Sequence, residues 1–147
     1  MMPDRTVRLT SPGHPAAVFT YLTGAFIGAI TITGLAEAKS MTDIAGSDLV
    51  LVWASIATAA GLLAAAMGLI GRVEPPSQSR LRIELVSLAV LSLSYLWYEI
   101  TLVVGNGISS VLITQGLATG IFLGSAARAV EILLEVRRVR IEPKVGE

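Results

Sequence analysis

The sequence predicts an all-α membrane protein, a bundle of four transmembrane helices joined as short antiparallel hairpins. Hydrophobic residues make up 53% of the 147 residues, and the mean hydropathy is +0.71. Soluble domains contain fewer apolar residues and do not carry them in runs of about twenty. Such runs recur along this chain, and the charged residues, 15% of the total, are concentrated at the ends and in the connections.

Composition excludes several classes of function. The formal net charge is zero, so no basic surface for nucleic acid is indicated. The absence of cysteine excludes disulfides, thiolate catalysis and cysteine metal sites. The single histidine, His14, lies in a Ser-Pro-Gly-His-Pro segment typical of a loop. Because no nucleotide-binding loop or Ser-His-Asp set is present, we predict no enzymatic activity, no cofactor and no metal site.

Residues 1–15 are predicted to form a polar cytoplasmic tail, and residues 16–36 the first span. Apart from Tyr21, the polar residues of this span are threonines, whose hydroxyls can bond to carbonyls of their own helix. Gly24 and Gly28 form a GxxxG pair, a pattern that lets helix backbones approach closely in lipid.

A cleaved signal peptide is the alternative interpretation of this first segment. Arg5 and Arg8 would be its basic region, and Ala36-Glu37-Ala38 has the form of a cleavage site. The apolar stretch of about 20 residues is longer than the roughly 7–15 residues of a cleaved signal. We therefore favour an uncleaved first span.

The second predicted span covers residues 49–70 and follows an acidic loop. Trp53 lies near the loop end of this span, where an indole suits the membrane interface. Small residues four positions apart predict close helix packing. They form two ridges: Ala57, Gly61 and Ala65, and Ala60, Ala64 and Gly68.

The third and fourth spans are predicted as a hairpin about Gly105-Asn106-Gly107. The third covers residues 83–104, which are 22 residues and about 33 Å of helix, the thickness of a hydrocarbon core. A connection with Pro75-Pro76 precedes it. The fourth covers residues 108–134 and continues to residue 141 as a charged amphipathic helix, followed by a tail at 142–147.

Gly116, Gly120 and Gly124 form a GxxxGxxxG ridge in the fourth span. This pattern predicts a helix–helix interface. The sequence leaves open whether the partner helix belongs to the same chain or to a second copy. With Gly24, Gly28 and Gly61, these glycines are the predicted packing and oligomerisation residues.

Glu84 and Arg128 are a predicted pair of intramembrane charges. Each lies 22 residues from Asn106, on opposite sides of the turn, so an antiparallel hairpin places them at the same depth. An isolated charge is costly in a bilayer. Two interpretations follow: an ion pair that fixes the register of the hairpin, or two side chains that reach separately to the interface.

Glu99 lies near the other end of the third span. Counted from the turn, it faces the level of Ile113, next to Thr114 and Gln115, whose polar groups could satisfy a carboxyl. One interpretation is a proton or cation site with Tyr95 and Trp97 nearby. The other is a carboxylate hydrated at the interface, within an ordinary aromatic belt.

The lysines and arginines predict the orientation. The N-terminal tail has two, the first loop one, the second loop three, the third none and the C-terminal part five. One side therefore totals ten and the other one. By the positive-inside rule, both termini are cytoplasmic in a multi-pass protein of the inner (cytoplasmic) membrane. The arginines that follow the fourth span also suit anionic lipid headgroups.

The glycine-rich segment from Gly116 to Gly124 and the basic exit from Ser125 to Arg138 resemble small four-span holin-like proteins of actinobacterial phages. The likeness covers the general architecture. It implies oligomerisation in the inner membrane, through the glycine ridges, and permeabilisation of that membrane during phage lysis.

A second resemblance leads to a different class of function. Four spans, an intramembrane Glu99 with aromatic neighbours, and a glycine ridge in the last span are similar to small multidrug resistance transporters, which exchange protons for cationic drugs. Their essential carboxylate lies in the first span, where this chain has none. A third possibility is an accessory membrane subunit without activity of its own.

Overall fold

The computed structural model describes residues 15–35, 39–71, 77–106 and 112–141. Within these ranges the chain is helical and contains no strand. His14, the Ala36-Glu37-Ala38 motif, Pro75-Pro76, Gly107 and the terminal tails lie outside the described residues. The helices are α1 (Pro15–Ile32), α2 (Lys39–Ala45), α3 (Ser47–Ile70), α4 (Gln78–Asn106) and α5 (Leu112–Ile141).

The predicted all-α fold with four long apolar helices is confirmed. The described part of the chain has four segments long and apolar enough to cross a membrane: Pro15–Ile32, Ser47–Ile70, Gln78–Gly105 and Thr114–Leu134. The shortest, α1, has 18 residues, about 27 Å of helix. Four such helices are typical of a multi-pass membrane protein.

The four long helices form an antiparallel bundle. Helix α1 packs mainly along α3, α3 along α4, and α4 along α5, while α5 meets α1 over a smaller contact and closes the ring. Each pair is antiparallel, as shown for α1 and α3 by the approach of Gly28 to Thr58 at one end and of Val18 to Gly68 at the other. Consecutive long helices are therefore neighbours in space.

The seam between α1 and α3 is made of small residues and backbone. A Cβ atom built on Gly61 would lie 2.7 Å from the carbonyl oxygen of Tyr21, and one built on Gly28 would lie 2.7 Å from that of Ala54. Only glycine permits such close backbones at these two positions. Small side chains also fill the rest of the α3 face, since the six ridge residues are all buried: Ala57, Ala60, Gly61, Ala64, Ala65 and Gly68.

Large apolar side chains lie mostly on the outside. Phe19 is 72% exposed and Leu93 65%, whereas the interior is rich in alanine, serine and glycine. This arrangement suits a lipid surround, where burying large apolar side chains gains little and helices associate by close packing. The predicted hydrogen bonds from threonine hydroxyls to their own helix are confirmed in α1. Thr20, Thr23 and Thr31 each donate to the carbonyl oxygen four residues earlier.

One predicted feature is wrong. Gly105 and Asn106 belong to the last turn of α4 and do not form a tight turn. Helix α4 begins at Gln78, five residues before the predicted span, because polar residues extend a helix beyond its apolar part. The acidic loop contains an unpredicted helix, α2, whose Met41 is fully buried against the bundle.

Trp53, near the loop end of α3, is buried inside the bundle. Its indole Nε1 donates to the carbonyl of Ser94 at 2.8 Å, and its ring stacks on Tyr98 with centroids 4.9 Å apart. Tyr95 completes this aromatic cluster, with its ring edge-on to Trp53 at 5.8 Å. An indole N–H paired with a backbone carbonyl has no need of interfacial water.

Candidate functional site

Glu84 and Arg128 form a buried ion pair between α4 and α5. Arg128 Nε donates to Glu84 Oε1 at 3.3 Å, and the two side chains are 12% and 4% exposed. Of the two interpretations drawn from their spacing, the structure shows the direct pair. A buried pair stabilises an arrangement chiefly because breaking it leaves one charge uncompensated. The contact therefore fixes α5 against α4 near one end of the bundle.

Arg128 has a second acidic partner on its own helix. Its Nη1 lies 3.0 Å from Glu131 Oε2, one turn further along α5, and Glu131 is largely exposed. Pairs three residues apart, such as this one, support a helix. The side chains of Glu135, Arg137, Arg138 and Arg140 lie outside the described part of the structure.

Glu99 accepts a hydrogen bond from Thr119. The distance from Thr119 Oγ1 to Glu99 Oε1 is 2.6 Å, and the Glu99 side chain is half-buried. The predicted level of Ile113, Thr114 and Gln115 is therefore wrong by more than one helical turn.

The reason is that side chains lean toward the N-terminus of their own helix. The Glu99 carboxyl therefore lies deeper in the bundle than its Cα. Gln115 is half-buried on α5, and Trp97 is 48% exposed on α4.

Tyr95 connects helices that lie diagonally across the bundle. Its hydroxyl donates to the carbonyl oxygen of Gly24 at 2.7 Å, from a ring with no exposed surface. A Cβ atom on Gly24 would lie 3.3 Å from Tyr95, from Leu91 and from Ile121. Gly24 thus faces the centre of the bundle, and its missing side chain leaves room for these three residues.

The glycines of α5 have two different environments. A Cβ atom on Gly124 would lie 3.3 Å from Thr20 on α1, whereas a Cβ atom on Gly116 or Gly120 would have no atom of the described residues within 4 Å. Gly116 and Gly120 are exposed, and so are Leu123 and Ala127 on the same face of the helix. Contacts within the described part of the chain explain why a small residue is needed at Gly124. They do not explain the glycines at positions 116 and 120.

Several polar side chains that sequence reasoning did not select lie inside the bundle, among them Tyr21 on α1 and Ser125 on α5. Tyr21 could have been noticed because it is the one polar residue of its span that is not a threonine, but Ser125 carries no distinguishing signal in the sequence.

The polar groups of the described residues are suited to holding helices together. Within that part of the chain, no three His, Cys, Asp or Glu side chains come together as a metal site would require. The chemistry available inside the bundle is hydrogen bonding and ion pairing.

Comparison with known proteins gave no match to a family model, to a curated protein or to a solved structure.

Proposed function

We propose that this chain is a holin-like membrane protein that oligomerises in the cytoplasmic membrane and permeabilises it during phage lysis. The observation that carries the proposal is the open glycine face of α5, formed by the exposed residues Gly116, Gly120, Leu123 and Ala127. Gly24, Gly28, Gly61 and Gly68 all face neighbouring helices within the chain. Gly116 and Gly120 have no such neighbour among the described residues.

The physical argument concerns the association of helices in lipid. Apolar side chains gain little by leaving lipid for a protein surface, so association depends on close van der Waals contact. A GxxxG face allows two backbones to approach and to form such contacts along their length. The α1–α3 seam of this protein already uses the same device, with Gly28 and Gly61 against backbone atoms.

The distribution of charge supports an orientation with both termini in the cytoplasm. Arg80 and Arg82 lie in the first turns of α4, at the same end of the bundle as Arg128. Asp43 and Asp48 are at the opposite end, in α2 and the first turn of α3. Basic residues are retained on the cytoplasmic side of bacterial membranes, so this orientation is the one we propose.

The open glycine face is tested by replacing Gly116 and Gly120 together with leucine. We expect assembly to be lost, because the leucines fill the space that a second helix backbone would occupy, while the monomer stays folded. Ala66→Leu, an exposed alanine on α3, is the matched control. Oligomers are measured by crosslinking in membranes, and permeabilisation by the collapse of membrane potential after induction in bacteria.

Two results would contradict this proposal. One is normal growth with an intact membrane potential at high expression of the unaltered protein. The other is a Gly116→Leu, Gly120→Leu variant that crosslinks and permeabilises as the Ala66→Leu control does.

The second candidate function is a small proton-coupled transporter of the multidrug type. The observation in its favour is the half-buried Glu99 carboxylate with a hydroxyl partner, Thr119, inside the bundle. We expect Glu99→Gln to abolish proton-coupled drug flux in vesicles and to leave the unfolding temperature nearly unchanged, since glutamine can still accept from Thr119. Thr119→Ser is the matched control. Flux that is equal in both variants and in the parent would remove this candidate in favour of an accessory subunit or a holin-like protein.

A further inference from the structure

Two buried hydroxyl groups of the bundle have no hydrogen-bond partner among the residues that the structure describes. Tyr21 is 1% exposed and Ser125 0%, and among the described residues neither hydroxyl makes a hydrogen bond. In folded proteins nearly all buried polar atoms are hydrogen-bonded, to protein or to ordered water. A pair of exceptions on facing helices therefore indicates a shared partner.

The two hydroxyl-bearing residues lie at the same depth. Helix α1 faces α5 where a Cβ atom on Gly124 would be 3.3 Å from the Thr20 methyl group. Tyr21 follows Thr20 on α1, and Ser125 follows Gly124 on α5, and both are turned into the bundle. This is also the seam at which α1 and α5 make their smaller contact.

The buried ion pair borders the same position. Arg128 follows Ser125 by about one helical turn, and its Nε donates to Glu84 Oε1 at 3.3 Å. Tyr21 lies on α1 at the level of Ser125, about one helical turn from Arg128. Helices α1, α4 and α5 thus contribute polar groups to one region. This region lies near the end of the bundle that carries Arg80 and Arg82.

We propose that this region is an internal water-binding site, bounded by Tyr21, Ser125 and the Glu84–Arg128 pair. A buried water typically makes two to four hydrogen bonds to otherwise unsatisfied polar groups. The two hydroxyls can each donate or accept, and the Glu84 carboxylate accepts. A metal cation does not suit the site, because the Arg128 guanidinium already neutralises Glu84. The bound water joins α1 to the ion pair of α4 and α5.

The site is tested on the full chain in lipid bilayers by solid-state NMR. The protein carries ¹³C-labelled tyrosine and serine, and the transfer of magnetisation from water protons to each carbon is followed with time. Tyr95 is the internal control, because it is equally buried but its hydroxyl donates to Gly24. We expect a several-fold faster transfer to the ring Cζ of Tyr21 than to that of Tyr95.

Two variants test whether the hydroxyls share one water. Ser125→Ala should slow the transfer to Tyr21 Cζ, and Tyr21→Phe should slow the transfer to Ser125 Cβ. Equal and slow transfer to Tyr21 and Tyr95 in the parent protein would overturn the site. Rapid transfer to Tyr21 that Ser125→Ala leaves unchanged would overturn the shared water.

The measurement does not depend on the proposed function. It reports on the folded bundle in the membrane, whether or not that bundle assembles or permeabilises. If the parent protein shows the expected transfer from water to Tyr21 but does not permeabilise membranes, only the holin-like function is contradicted.

Discussion

Replacing Glu84 with leucine will destabilise the bundle by about 3–5 kcal/mol, because the largely buried Arg128 guanidinium then loses its buried counter-charge. Arg128 is 12% exposed and Glu84 4%, so neither group can move readily into water. The measurement is the free energy of unfolding in mixed micelles, under conditions that keep the protein monomeric.

A double variant and a control make this result specific. Glu84→Leu combined with Arg128→Leu should recover most of the lost stability, since an apolar pair can replace a buried ion pair at little or no cost. Glu131→Leu removes an exposed partner of the same arginine, and we expect a cost of only about 0–1 kcal/mol. A double variant as unstable as the single one would show that the pair is not what fixes α5 against α4.

Replacing Gly28 or Gly61 with leucine will separate α1 from α3 and cost at least about 3 kcal/mol, above the usual range for overpacking. The added side chain at Gly61 meets the backbone of Tyr21 and Ala25, and at Gly28 it meets the backbone of Ala54 and Thr58. Backbone atoms cannot turn aside as a flexible side chain can, so the helices themselves must shift. The measurement is again the free energy of unfolding in mixed micelles.

Gly116→Leu is the control for this prediction, because it makes the same chemical change on an open face. We expect it to leave the unfolding free energy of the monomer nearly unchanged, or to raise it slightly, since leucine favours helix more than glycine does. Equal effects at Gly61 and Gly116 would contradict the tight α1–α3 seam.

The sequence was informative wherever a feature depends on one helix or on one hairpin. The apolar runs predicted four long helices, and the small-residue ridges of α3 predicted its buried face. The equal spacing of Glu84 and Arg128 from Asn106 predicted their meeting even though the turn was misplaced. The side chains of Glu84 and Arg128 are long enough to meet across an offset of about one helical turn. The prediction of their contact therefore did not depend on the exact position of the turn.

Other features depend on details that spacing does not contain. The level of Glu99 was wrong because its partner depends on side-chain direction and because α4 stays helical as far as Asn106. The grouping of Tyr21 with Ser125 requires α1 to close on α5. Likewise, Gly116 and Gly124 belong to one sequence pattern, yet only the packed bundle distinguishes the open glycine from the covered one.

The glycine-lined contact between α1 and α3 also has a consequence for biosynthesis. These two helices leave the ribosome before α4 and α5, and the atoms nearest to a Cβ built on Gly28 or Gly61 belong to the partner helix, α3 or α1. Chains generally fold from the N-terminus as they are made. We therefore expect α1 and α3 to pair during insertion and to act as a template on which the second hairpin docks.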